Sequence, residues 1–160
     1  MIQDSGNRTS FESGAVRDIQ GGKGRCDLLP LDVVGALTGD AMFLHMYDFL
    51  NTGCKEIILT MIDNLSVKLF GSVADALLEV SIHYEEGAEK YGEHNWEKGI
   101  PAHSFADSTI RHYIKLCRGD KDERHDRAVI WNLLGLLWTI EHHPELSDLP
   151  YCTRDADTIK

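Results

Sequence analysis

The sequence predicts an all-α fold, a bundle of about five to six helices, on three observations. Apolar residues recur at i, i+3 and i+4 spacing through most of the chain between Leu31 and Ile140. Glycines and capping residues interrupt those stretches at helical lengths. No segment shows strand alternation of any length, and no internal repeat is visible. At 160 residues the chain is long enough to bury one core. The organisation expected is a flexible N-terminal arm over 1–12, a single domain over 13–150 and a C-terminal tail over 151–160.

The elements follow in order. MIQDSGNRTSFE is polar and aperiodic and is expected as a mobile or loosely docked arm. SGAVRDIQGGKGRCDLLP carries four glycines and the cations Arg17, Lys23 and Arg25. Glycine-rich backbone interleaved with Lys and Arg can cradle phosphate, although a surface linker has the same composition. A Walker loop is excluded, since no Ser or Thr follows Lys23. Pro30 suits the first turn of a helix through Leu31, Val33, Val34 and Leu37, which Gly39 ends. Asp40 can cap a second helix with Met42, Phe43, Met46, Tyr47 and Leu50 on one side, and Asn51-Thr52-Gly53 is a turn. Ile57, Ile58, Met61, Ile62, Leu65 and Leu69 mark a third, broken at Gly71. Ser72 can cap a fourth that runs to Tyr91, with Glu79, His83, Glu86 and Lys90 beside its apolar stripe. A loop over Gly92 to Pro101, a fifth helix over Ala102 to Leu116 and a sixth over Asp122 to His142 complete the reading. Pro144 and Pro150 are expected to end regular structure.

Charge and composition exclude several classes of function. With 26 acidic against 16 basic residues the net charge is −10, which speaks against a nucleic-acid polymer as partner. The apolar runs are too short to cross a bilayer, so no membrane partner and a cytoplasmic location are expected. Cys26, Cys54, Cys117 and Cys152 show no CxxC spacing, which gives neither a zinc ribbon nor a disulfide framework.

Two acidic clusters carry the chemistry. Glu85, Glu86 and Glu89 crowd a little over one helical turn, where like charges repel by a few tenths of a kcal/mol per pair. A divalent cation would relieve that repulsion, and oxygen-only donors suit Mg²⁺ or Mn²⁺ rather than zinc. A solvated helix face is the competing reading. Glu123 and Asp126 lie three apart at the start of the sixth helix, and facing carboxylates from two helices build metal sites in bundles. His125 and Asn132 share a stripe with Ala128 and Gly135, small residues that leave room for a ligand. Asp107 and Arg111 are spaced as an i,i+4 ion pair beside His112. Asn95 and Trp96 can hydrogen-bond and stack on a base, although a loop Trp is more often a packing anchor.

The blocks GKGRCDLLP, EEGAEKYGEHNWEKGIP, DSTIRH and DERHDRAVIWNLL resemble the dATP/dGTP diphosphohydrolase family of phages and prophages, over about Gly14 to Pro150. That family is similar to the MazG-like all-α nucleotide pyrophosphohydrolases. The resemblance implies hydrolysis of a purine deoxynucleoside triphosphate to monophosphate and pyrophosphate, with Mg²⁺ or Mn²⁺ as cofactor. It implies catalytic Glu85, Glu86 and Glu89, with Glu123 and Asp126 completing the metal set. The gap between the two acidic motifs exceeds the superfamily pattern, which leaves Asp126 and Asn132 as alternatives for the fourth ligand. The segment from Gly39 to Gly71 looks like a helical insertion. The expected nucleotide- and phosphate-binding set is Arg17, Lys23, Arg25, Lys90, Asn95, Trp96, Arg111, His112, His125 and Asn132. A homodimer or homotetramer is expected from apolar residues on more than one face of the third and sixth helices. A nucleotide-sequestering protein without catalysis is the alternative on the same scaffold.

Overall fold

The computed structural model describes residues 5–157, with side chains through residue 154. Seven α-helices appear among them: α1 (Leu31–Thr38), α2 (Ala41–Thr52), α3 (Lys55–Phe70), α4 (Val73–Tyr91), α5 (Ala102–Arg118), α6 (His125–His142) and α7 (Pro150–Asp157). The expected boundary chemistry is in place. Asp40 accepts from the amide of Met42 at 3.0 Å and Ser72 from that of Asp75 at 3.0 Å, each filling an N-terminal donor that the helix cannot pair. Gly39, Gly53 and Gly71 close α1 to α3 in the left-handed region, which costs glycine least. No helix among the described residues is long and apolar enough to cross a membrane.

α6 is the central helix, packed by α3, α4 and α5. Its Val129, Ile130, Leu133 and Leu136 are fully buried, meeting Phe105 and Ile110 from α5 and Ile58 and Met61 from α3. A methyl group at Gly135 would collide with the Phe105 ring, so the glycine sets how closely α5 and α6 approach. The segment expected as an insertion is no satellite. Met46 and Phe49 of α2 and Ile58 of α3 are wholly buried members of the same core.

Four local expectations need correction. Part of the stretch read as an arm is β1 (Arg8–Ser10), paired antiparallel with β2 (Val16–Asp18) so that Thr9 faces Arg17. Strands of three residues are too short to display alternation. The pairing is held instead by the Phe11–Gly14 turn, buried Ala15 and the Asn95 amide, which accepts from Val16 N at 2.9 Å and donates to Val16 O at 2.7 Å. The first four residues of that arm lie outside the described residues. The loop after α4 contains a 3-10 turn over Asn95–Lys98. α6 begins at His125 rather than Asp122, because Asp122 turns its carboxylate back onto the His125 ring. Pro150 starts a helix instead of ending one, since proline lacks only an amide that the first turn leaves unpaired. α7 then docks Tyr151 edge-on against Phe49, so the stretch read as a tail is helical to residue 157.

Candidate functional site

A cavity of about 540 Å³ opens between β2, the inner face of α4, the 3-10 turn, α5 and α6. Tyr84, Tyr91, Trp96 and Trp131 form its aromatic walls, and Arg17, Lys23, Arg111 and Lys115 bring four cations to it. In a chain of net charge −10 this is a local reversal of sign.

Arg17 reaches the floor from β2. Its guanidinium lies 5.1 Å from the Phe105 ring centre and 5.6 Å from that of Trp131, and it donates to Asn132 Oδ1 at 3.0 Å and Ser108 Oγ at 3.3 Å. Burial lowers its pKa to about 10, so it stays charged at neutral pH. Arg111 donates to the Gly24 carbonyl at 2.7 Å and to Asp107 at 2.6 Å, the ion pair expected from their spacing. His83 is driven down to about 4 by burial, against the opposing pull of Glu86, and is therefore neutral at pH 7.

Five buried side-chain atoms among the described residues have no hydrogen-bond partner, and four of them belong to cavity residues: Arg17 Nη1, His83 Nδ1, Arg111 Nε and Trp131 Nε1. Three are obligate donors and the fourth can donate. Leaving a buried polar group unpaired costs about 1–3 kcal/mol, and such groups concentrate where function requires them. The fixed positive charge that the lining residues bring is complementary to an acceptor-rich anion.

At the α5–α6 corner, Nδ1 of His112 and Nδ1 of His125 face each other at 2.9 Å, and Glu123 Oε1 lies 3.5 and 3.7 Å from them. Asp122 holds Nε2 of His125 at 2.7 Å and salt-bridges Lys115 at 3.2 Å. The hydrogen bond from His125, then that from Lys115, keeps the Asp122 carboxyl at about 2. Burial and the neighbouring His125 push His112 well below the usual imidazole range.

The structure brings together some of the expected residues and separates others. Arg17, Lys23, Asn95, Trp96, Arg111, His112, Glu123 and Asn132 border the cavity. Lys23 is paired with Asp18 at 3.0 Å. Asn95 spends its amide on Val16, and Trp96 packs edge-on between Tyr84 and Trp138. Asn132 also donates to Ala128 O at 2.8 Å. Arg25 lies off the cavity, paired with Asp27, and Lys90 lies 5.3 Å from the Tyr91 ring centre. His125 is buried behind His112.

The oxygen-only donor set is not assembled. α4 turns His83, Tyr84, Gly87, Ala88 and Tyr91 to the cavity, which leaves Glu85 and Glu89 exposed and Glu86 half-buried, none of them in its lining. Asp126 is gripped by Arg124 at 2.8 and 2.9 Å and accepts from the Arg127 amide. Two groups among the described residues bring three donors within 4.8 Å, His112–Glu123–His125 and Asp120–Asp122–His125. Sequence reasoning did not single out Tyr84, Ser108, Lys115 or Trp131 for the site. The available signal was Gly87-Ala88, small residues that open the α4 face toward Trp131.

A family model described as dATP/dGTP diphosphohydrolase, N-terminal, matches residues 62–149, more than half of the chain. It spans α4, α5 and α6 and leaves β2, with Arg17, outside the matched part. No curated protein and no solved structure matches.

Proposed function

The chain belongs to the dATP/dGTP diphosphohydrolase family, and on that premise we propose that it hydrolyses a purine deoxynucleoside triphosphate to the monophosphate and pyrophosphate, using Mg²⁺ or Mn²⁺. The observation that carries this reading is one cavity lined by four cations and four aromatic side chains in an acidic chain. A triphosphate offers many acceptor oxygens and a compact negative charge. Arg17, Arg111, Lys23 and Lys115 meet that charge by charge-assisted hydrogen bonds, which are about twice as strong as neutral ones. The aromatic walls offer flat faces for a purine, and neutral His83 offers a hydrogen bond to the base or sugar.

In this reading a water attacks the α-phosphorus and the bond to the bridging oxygen breaks, releasing pyrophosphate. Glu123, the cavity carboxylate at the α5–α6 corner, takes the proton of the attacking water. A divalent ion, when bound, neutralises phosphate charge and acidifies its water. Glu86 lies close enough to raise the His83 pKa, so Glu86 and the substrate's phosphate oxygens would hold it. Glu85 and Glu89 require a change of rotamer or a second subunit to join them. A homodimer or homotetramer belongs to the same proposal. Leu77, Leu78 and Ile82 of α4 and Leu59 and Val67 of α3 stay exposed, whereas the apolar faces of α6 are largely satisfied within the chain.

The test is incubation with each of the four deoxynucleoside triphosphates and Mg²⁺ or Mn²⁺, with product analysis. Release of pyrophosphate and monophosphate with purine preference supports the proposal. Tight binding without turnover moves the assignment to a sequestering protein, and release of inorganic phosphate overturns the reaction type.

A further inference from the structure

We propose that His112, Glu123 and His125 form a site for a first-row divalent transition ion, with Asp122 as the residue that positions His125. The site is distinct from the carboxylate set above in donor chemistry, sharing only Glu123. It does not depend on the nucleotide reading.

Donors about 2.1 Å from an ion at octahedral or tetrahedral angles lie about 3.0–3.4 Å from one another. The two Nδ1 atoms stand at 2.9 Å, and the Glu123 oxygen at 3.5 and 3.7 Å needs only a small side-chain rotation to close the triangle. Three elements converge to build it, since His112 comes from α5, Glu123 from the connecting segment and His125 from the first turn of α6. The corner is enclosed, with side-chain exposures of 1% for His125, 13% for Glu123 and 17% for His112.

Hydrogen bonding behind His125 orients its ring. A carboxylate oxygen accepts, so the proton of the 2.7 Å contact between Asp122 and His125 sits on Nε2 of the ring. In the neutral ring this leaves the lone pair on Nδ1, aimed at His112 and Glu123. A carboxylate that fixes the tautomer of an imidazole ligand is the usual support behind metal-bound histidine. An ion entering there would take the place of the proton that His112 Nδ1 donates to His125 Nδ1, with His112 changing to the tautomer protonated on Nε2 so that both Nδ1 lone pairs face the ion.

Two imidazoles and one carboxylate suit Mn²⁺ through Zn²⁺ and are poor donors for Mg²⁺, which demands oxygen. Three protein ligands leave coordination positions open, and His112 and Glu123 border the cavity, so those positions face it.

The test uses the full chain, stripped with a chelator and titrated with Co²⁺ in the absence of nucleotide. The expected result is one Co²⁺ per chain with visible d–d absorption, displaced by Zn²⁺ and untouched by equimolar Mg²⁺. His112→Ala should lose the absorption and weaken binding at least 100-fold, with a helical spectrum like that of the parent. Asp122→Asn should weaken binding by about 10–100-fold, the usual effect of losing such a partner. Because His125 is buried and its variants can misfold, Glu123→Gln serves as the second ligand variant. A parent without d–d absorption, or His112→Ala and Glu123→Gln variants that bind Co²⁺ as the parent does, would overturn the assignment. A failure of nucleotide hydrolysis would leave this result unaffected.

Discussion

On α4, Glu85 and Glu89 face solvent, and their helix turns a different stripe to the cavity. At the α5–α6 corner, Glu123 borders the cavity and Asp122 grips a buried histidine. Both segments are runs of acid in sequence, and by charge alone the first is the denser. What separates them is the company that packing brings. The corner combines carboxylates with imidazoles from two helices, whereas the outer α4 carboxylates have only water and one another's stripe. Density of charge along a helix is therefore a weaker sign of a site than convergence from several elements.

Carboxylate removal gives the largest expected contrast between the two regions. Glu123→Gln should lower kcat by about 100-fold or more, the scale of losing a positioned base. Glu85→Gln and Glu89→Gln should change it by less than about threefold, as expected for exposed side chains, with Glu86→Gln in between. Steady-state kinetics on dATP or dGTP decides, and an equal collapse in all four variants would show that α4 carries the metal centre after all.

Arg17→Met sharpens the cavity side. It removes a charged donor while keeping much of the bulk against Phe105 and Trp131, and should lower kcat/KM by about 100-fold. An unchanged kcat/KM would detach β2 from substrate binding.

The two faces of α4 should also differ in pH response. His83 has its folded pKa at about 4, below the usual 6.5, so the unfolded chain takes up a proton first as pH falls. Its contribution is fully present above pH 6.5 and is lost between 6.5 and about 4. The loss amounts to about 3 kcal/mol at the acid end. His112 acts in the same direction. Urea unfolding across this range should show the parent losing stability and His83→Gln losing less. Parallel curves for the two proteins would mean that His83 is protonated in the fold.

Asn95→Ala gives the smallest effect. It removes both bonds to Val16 and should cost about 1–2 kcal/mol, with a raised KM and little change in kcat, because β2 delivers Arg17.

Much of this architecture was legible from the residues. Asp40, Ser72 and the terminal glycines announce the helices because capping is local chemistry, and the Asp107–Arg111 pair follows from helical spacing alone. The hairpin was not legible, because its strands are three residues long and its anchor, Asn95, is far away in the chain. For the site, the identities of Arg17, Arg111, His112, His125 and Asn132 were visible as polar or charged residues near small or apolar ones. The inward stripe of α4 through Tyr84, Ala88 and Tyr91 follows from helical spacing, whereas the turning of His83 from the neighbouring polar stripe toward Trp131 depends on packing. The meeting of His112 with His125 depends likewise on how the α5–α6 connection folds back.

The central claim is that this cavity cleaves a nucleoside triphosphate between its α- and β-phosphates. A single turnover of dGTP in water enriched in heavy oxygen tests it most directly, with mass analysis of both products. Label in the monophosphate and none in the pyrophosphate is the result expected. Label in pyrophosphate, or in free phosphate, would place the attack elsewhere and contradict the account.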